Sequence, residues 1–437
     1  MRRLKNALGA TLFCTLAAGC IRTPPVPDMS GTVTSPAGAT RAVTVPFTLD
    51  DNRVFVEIEF LRPDGTPRKA LAFVNMGSGA LVLSNALFRE LAPAQGRPLV
   101  LKIGGMAIAM DGSAVQPETM ANSFRININP FSAAATPAQA AQGEGGMMAG
   151  FAAPLPVEAV LPPGLLQHFA VVFDYGARTM TLASPGTLQG PQGIAVPIRV
   201  NPKTGFAVLD MTIDGAVYPV ALDDGGSYTV LRSAGRVLAA HPDRLRSTGG
   251  VGEANYLMDP TGADADALVL KLPHAALGGL SLDGMGIVAP NVPGLLGSVI
   301  EPVYWDWYSS KSGETVVGWL AGNVLKSFRL TVDYPNRMSY WLREAPLDTD
   351  DLDTVGITLG RWKGGVTIAG IAQKSGAATV SGVMPGDTLL EIDGADTLPM
   401  RRGQLHDALR GKPGEIKHLT LERDGKRIEV DAPVTAF

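Results

Sequence analysis

Phe73-Val74-Asn75-Met76-Gly77-Ser78-Gly79, with Leu81-Val82-Leu83 behind it, returns later in the chain as Ala221-Leu222-Asp223-Asp224-Gly225-Gly226-Ser227, followed by Thr229-Val230-Leu231. In both copies an apolar run ends in a polar residue, glycines follow, and a second apolar run begins. That order predicts a strand, a tight turn and a second strand, with glycine where a side chain would collide. One copy carries an acid at its pivot, Asp223; the other carries an amide, Asn75.

The resemblance extends to both sides of the phrase. Val45-Pro46-Phe47 matches Val196-Pro197-Ile198, Phe55 matches Phe206, and the hairpin signals Asp64-Gly65 and Asp214-Gly215 match each other. Downstream, Leu166, Phe169, Asp174, Tyr175 and Arg178 match Leu325, Phe328, Asp333, Tyr334 and Arg337. Two domain-sized copies indicate a duplication rather than a solenoid. Val54-Phe55-Val56-Glu57-Ile58-Glu59-Phe60 and Phe328-Arg329-Leu330-Thr331-Val332 alternate with a period of two, so both copies read as mainly β. Short helices are expected at 84–91 and 233–240. The Ala/Gly/Met-rich stretch 133–153 reads as a loop, with a lid or a membrane-facing segment as the alternative.

The chain has 437 residues, which by length fits two or three domains. Its net charge of −4, with both signs interspersed, marks no nucleic-acid surface. Arg2, Arg3 and Lys5 precede an apolar run at 7–18 that is too short to span a bilayer, the pattern of a secretory signal. Leu16-Ala17-Ala18-Gly19-Cys20 resembles the lipobox of bacterial lipoproteins. The resemblance implies a signal peptide at 1–19, a lipid on Cys20, a tether at 20–42, and a membrane-anchored location in the bacterial cell envelope, periplasm-facing or extracellular. The alternative is an ordinary cleaved signal. Cys14 lies in the segment that would be removed, so no disulfide is expected.

After Tyr340-Trp341-Leu342, an acidic run, Asp348-Thr349-Asp350-Asp351-Leu352-Asp353, marks a linker, taken as 346–354. The segment Ser375-Gly376-Ala377-Ala378, then Gly382-Val383-Met384-Pro385-Gly386-Asp387, then Leu390-Glu391-Ile392-Asp393-Gly394 resembles a bacterial PDZ domain over 355–437. The resemblance implies a peptide-binding loop and strand at Gly356, Ile357, Thr358 and Leu359, a short helix starting at Ser375, and a second helix at 404–409. A peptide C-terminus is the expected ligand.

The paired phrases resemble the retropepsin-like aspartic peptidase family, with lobes at 43–187 and 188–345. The fold expected is mainly β, two retropepsin-like β-barrel lobes of the acid-protease type plus the PDZ domain. In that family each lobe supplies one Asp of a dyad on a glycine loop. The two carboxyls lie too close to ionise together, so one holds a proton while the other activates water. The resemblance assigns Asp223 as the catalytic candidate, Asn75 as the degenerate dyad position, and Gly77 and Gly225 as the loop glycines. Gly318-Trp319-Leu320-Ala321-Gly322 and Leu161-Pro162-Pro163-Gly164 resemble the strand threaded beside each loop. Flaps would fall at Gly104 and Gly105, and at Gly252 and Tyr256.

The departures bear on activity. An amide at Asn75 neither takes up nor releases a proton. Met76 and Asp224 replace the Thr residues that lock the two loops together in the family. Three readings follow: a polypeptide-binding, aspartic-peptidase-like lipoprotein with impaired catalysis; an active endopeptidase using Asp223; or a non-enzymatic scaffold centred on the PDZ domain. The five His residues are scattered singly, without the spacing of a metal site, and no phosphate or dinucleotide loop occurs, so neither metal nor cofactor is expected. Trp305-Asp306-Trp307-Tyr308 reads as a buried patch, or as the wall of a cleft or a partner surface.

Overall fold

The computed structural model describes residues 28–30, 33–34, 41–118, 157–188, 190–232, 234–249, 266–289, 294–362 and 365–437. β-strands dominate, in sheets of 14, 12 and 6 strands. Cys20, the signal segment and its tether, the 133–153 stretch, Gly252 and Tyr256 lie outside the described residues.

Each copy of the repeat is built the same way. The hairpin Arg53–Leu61 and Pro67–Val74 turns at Gly65, and its counterpart, Ala207–Ile213 and Ala216–Leu222, turns at Asp214-Gly215; all three turn residues have positive φ. A strand from further along the chain then threads beside the motif. Val157–Leu161 runs parallel to Pro67–Val74 and antiparallel to Leu81–Leu83, while Gly318–Leu320 runs parallel to Ala216–Leu222 and antiparallel to Val230–Leu231. Short helices follow at Asn85–Leu91 and Ala234–Ala240, the first capped by Ser84, whose side chain accepts the Leu87 amide.

The two copies join through their last strands. Ala170–Asp174 pairs antiparallel with Phe328–Asp333, and Val172 sits opposite Thr331, its own counterpart in the second copy. A pseudo-twofold axis therefore crosses this strand pair. Among the described residues no sheet closes into a barrel, and the 14-stranded sheet runs from Ile194–Pro197 at one end to Val115–Pro117 at the other. Ala170–Asp174 and Phe328–Asp333 each use one edge on the other and the second edge on a strand that follows them, Thr179–Ala183 and Met338–Arg343.

The carboxyl-terminal domain has its own sheet, in the order Ile357–Trp362, Gly365–Ile371, Thr388–Ile392, Ile416–Arg423, Lys426–Pro433, with its own core. Its helix, Arg402–Leu409, presses Leu405 and Leu409 into that core. The helix expected at Ser375 is instead a hairpin, Gln373–Lys374 paired with Ala377–Ala378. Ser375 and Gly376 both have positive φ, which makes a two-residue turn, and Gln373 pairs with Thr248 of the second copy. Tertiary pairing thus overrides the helical reading. Tyr228, Val269, Val288, Leu352, Ala372 and Phe437 form a further buried cluster between this domain and the second copy.

Candidate functional site

The two motif loops begin alike. The Asn75 amide donates to Leu161 O and the Asp223 amide to Leu320 O, both at 3.0 Å, so each pivot residue is fixed by the threaded strand beside it. Each loop then turns back on its own pivot: Gly77 N–H donates to Asn75 Oδ1 at 2.8 Å, and Gly225 N–H to Asp223 Oδ1 at 2.9 Å.

The loops face each other across the pseudo-twofold axis. A methyl group on Gly77 would lie 2.0 Å from Asp223 Oδ2, and one on Gly225 would lie 2.3 Å from Asn75 Oδ1. Both glycines are therefore required by close approach, since no side chain fits at those distances. Asn75, Gly77, Asp223 and Gly225 come together as one buried constellation, with Asp223 6% exposed and Asn75 2%. Burial raises the Asp223 carboxyl above its ordinary range, opposed by hydrogen bonds from Tyr308, Gly225 and Gly77.

Asp224 does not join Asp223 on the same side. Its Oδ1 accepts the Met76 amide of the opposite loop at 2.7 Å, so an acid supplies an inter-loop tie where Thr was expected. Burial pushes this carboxyl up to about 7, and the neighbouring Asp223 charge acts in the same direction. Its Oδ2, like the buried hydroxyls of Tyr175 and Tyr334, has no hydrogen-bond partner among the described residues. Those two tyrosines are repeat counterparts, and both couple electrostatically to Asp224.

The aromatic cluster belongs to the long helix Gly294–Ser312, which lies between the second copy's last outer strand and its threaded strand. Its Tyr308 hydroxyl donates to Asp223 Oδ2 at 2.8 Å. The ring packs edge-on against Phe206 at 5.5 Å and lies 5.4 Å from Trp319, with Trp305 and Tyr304 alongside. The stretch is a buried patch, and its Tyr308 reaches Asp223. Lys311 Nζ sits 3.4 Å from the centre of the Trp307 ring, a cation–π contact at the end of the same helix.

A second group around the Asp223 loop has no counterpart in the sequence reading. At the tip between Ala42–Asp50 and Arg53–Leu61, Asp51 accepts the Ser227 hydroxyl at Oδ2 (2.6 Å) and at its carbonyl (2.8 Å). Arg53 Nε donates to Gly225 O at 3.1 Å, and Asn52 Nδ2 donates to Ser227 O at 3.1 Å. Sequence alone offered no signal for these contacts, because each depends on which hairpin tip meets which loop.

The remaining predicted residues fall elsewhere. The Gly104-Gly105 turn packs on the strand Ala42–Asp50, where a methyl on Gly104 would be 2.6 Å from Val45 Cγ1. Gly356 has φ +79°, and a side chain there would meet Thr379 Oγ1 at 2.3 Å. Ile357, Thr358 and Leu359 follow on a buried strand that pairs only with Gly365–Ile371 in its sheet. The helix beside it begins at Arg402, two residues ahead of expectation. Among the described residues no group of His, Cys, Asp or Glu could hold a metal ion, and no helix is long and apolar enough to cross a membrane.

No curated protein matches the chain. Residues 348–422, which carry the Gly356 turn, its strand and the helix Arg402–Leu409, match the family model of the PDZ domain, and this part of the chain is a PDZ domain.

Proposed function

We propose that this protein is an envelope-anchored, aspartic-peptidase-like lipoprotein that binds polypeptide and whose peptidase chemistry is impaired. The PDZ domain supports the binding half of this reading, since such domains take a chain end as an added strand. The observation that carries the other half is the facing of Asn75 and Asp223 across reciprocal glycines. On this reading the pair is a carboxylate dyad in which an amide replaces one carboxylate. A single acid can hold a proton or accept one, but the second group needed for general acid–base exchange is missing, and that assistance is typically worth about 10² to 10⁴ in rate. The Tyr308 hydroxyl on Asp223 Oδ2 further occupies the acid's free oxygen.

The test is incubation of the purified chain with an unfolded protein across acidic pH. We expect no cleavage above background. Cleavage that disappears in Asp223→Asn would establish the active-peptidase reading instead. The anchor is proposed from the lipobox alone: Cys20→Ser should move the protein from the membrane to the soluble fraction, and unchanged fractionation would refute lipidation.

A further inference from the structure

The PDZ helix Arg402–Leu409 does not end its contacts at its own domain. The flank of the helix beside Leu405 and Leu409 presents Arg402 and His406 to Asp51: His406 Nδ1 lies 2.6 Å from Asp51 Oδ1 and Arg402 Nε 3.3 Å from Asp51 Oδ2. Arg401 Nε lies 3.4 Å from Asp50 Oδ1, and a methyl on Gly403 would meet the Asp51 amide nitrogen at 2.6 Å, so helix and hairpin tip are in close contact. Asp51 is buried, its side chain 1% exposed. Its other contacts are Arg53 Nη1 at 3.2 Å and the Ser227 hydroxyl at 2.6 Å. Arg53 in turn donates to Gly225 O.

One carboxylate therefore serves two clients. On one side stands the PDZ helix; on the other stands the loop that carries Asp223. A charge so deeply buried cannot lose partners without cost, since removing one member of a buried pair typically costs about 3–5 kcal/mol. A shift of the helix bears on Asp51, and Asp51 is held in turn by Ser227 and Arg53. We propose that Asp51 couples the PDZ domain to the Asp223 loop, so that the position of the PDZ helix controls the position of Asp223. The regulator implied is a polypeptide bound by the PDZ domain. That last step rests on the peptide-binding reading above; the coupling through Asp51 does not.

Amide hydrogen exchange of the full chain tests the coupling without any ligand, so its outcome is independent of what the PDZ domain binds. His406→Ala should speed exchange across residues 222–231 by tenfold or more, and His406→Asn, whose amide can still donate to Asp51, should restore most of the protection. Leu419→Ala, in the PDZ core, should loosen residues 355–437 and leave 222–231 unchanged. Coupling is reciprocal, so Ser227→Ala should speed exchange in residues 402–409. The proposal is overturned if His406→Ala acts only within 401–410, or if Leu419→Ala loosens 222–231 equally. Should His406→Ala fail to fold, the Ser227→Ala arm decides alone: unchanged exchange at 402–409 overturns the coupling.

Discussion

Asp224 stands where the first motif has Met76, and the two residues have divided a task. Met76 is buried in the main core and offers only its backbone amide across the axis; Asp224 supplies the acceptor. The acid brings a titration with it. Its carboxyl is raised to about 7 from an ordinary 3.8, so the folded state holds a proton that the unfolded chain releases. The contribution is thus fully present below about pH 4 and is lost as pH rises through about 7. Over that span it amounts to roughly 4 kcal/mol. Asp351, raised to about 7 by its burial in the linker, acts with the same sign. Asp224→Asn keeps an oxygen that can accept the Met76 amide but carries no titrating proton. The urea midpoint of wild type should fall between pH 4.5 and 7.5, and this variant should fall by clearly less; equal slopes would refute the assignment. The motif was legible in sequence because glycine and an acid at a strand end are local features. The tie to Met76 was not, because it joins residues far apart in the chain.

Among the elements, the helix Gly294–Ser312 was the least legible. Gly294, Gly297 and an internal Pro302 argue against a helix of this length. What holds its second half is the aromatic packing of Trp305, Trp307 and Tyr308 on Phe206, Trp319 and their neighbours, a tertiary term that no window of sequence contains. The hairpins, by contrast, were readable from period-two alternation and Asp-Gly turns, which are decided within a dozen residues. The Ser375 hairpin escaped because it joins the sheet of the second copy, where Gln373 pairs with Thr248, rather than the sheet of its own domain. Tyr308→Phe isolates the contribution of this helix to the candidate site. The ring contacts survive, while Asp223 Oδ2 loses a donor in a buried place, which costs about 1–3 kcal/mol. Unfolding followed by tryptophan fluorescence should show that loss. A midpoint equal to wild type would mean that the Tyr308 hydroxyl contributes nothing at Asp223.

At the scale of the whole molecule, duplication explains the pseudo-twofold axis but not the attachment of the PDZ domain, which sits on one side only. Three kinds of bond make that attachment: the Thr248–Gln373 strand bridge, the apolar cluster of Tyr228, Val269, Val288, Leu352, Ala372 and Phe437, and the buried charges around Asp51. Tyr228 follows Ser227 directly, so the apolar and the ionic parts of the interface both bear on the Asp223 loop. The charges also set a pH sense. Burial alone would raise Asp51, but the His406 charge and hydrogen bond, then Arg53 and Arg402, hold it well below the usual carboxylate range. Its contribution is present above about pH 4 and is lost as pH falls below that. Domains joined this way should not unfold separately, because opening the interface exposes apolar surface and strands a buried charge. The full chain should therefore melt in one transition at pH 6 by calorimetry. Removal of residues 346–437 should lower the midpoint of what remains, since Asp51 keeps Arg53 and Ser227 but loses His406 and Arg402. Two separate transitions in the full chain, with the first 345 residues melting at an unchanged temperature when produced alone, would show that the interface carries no stability.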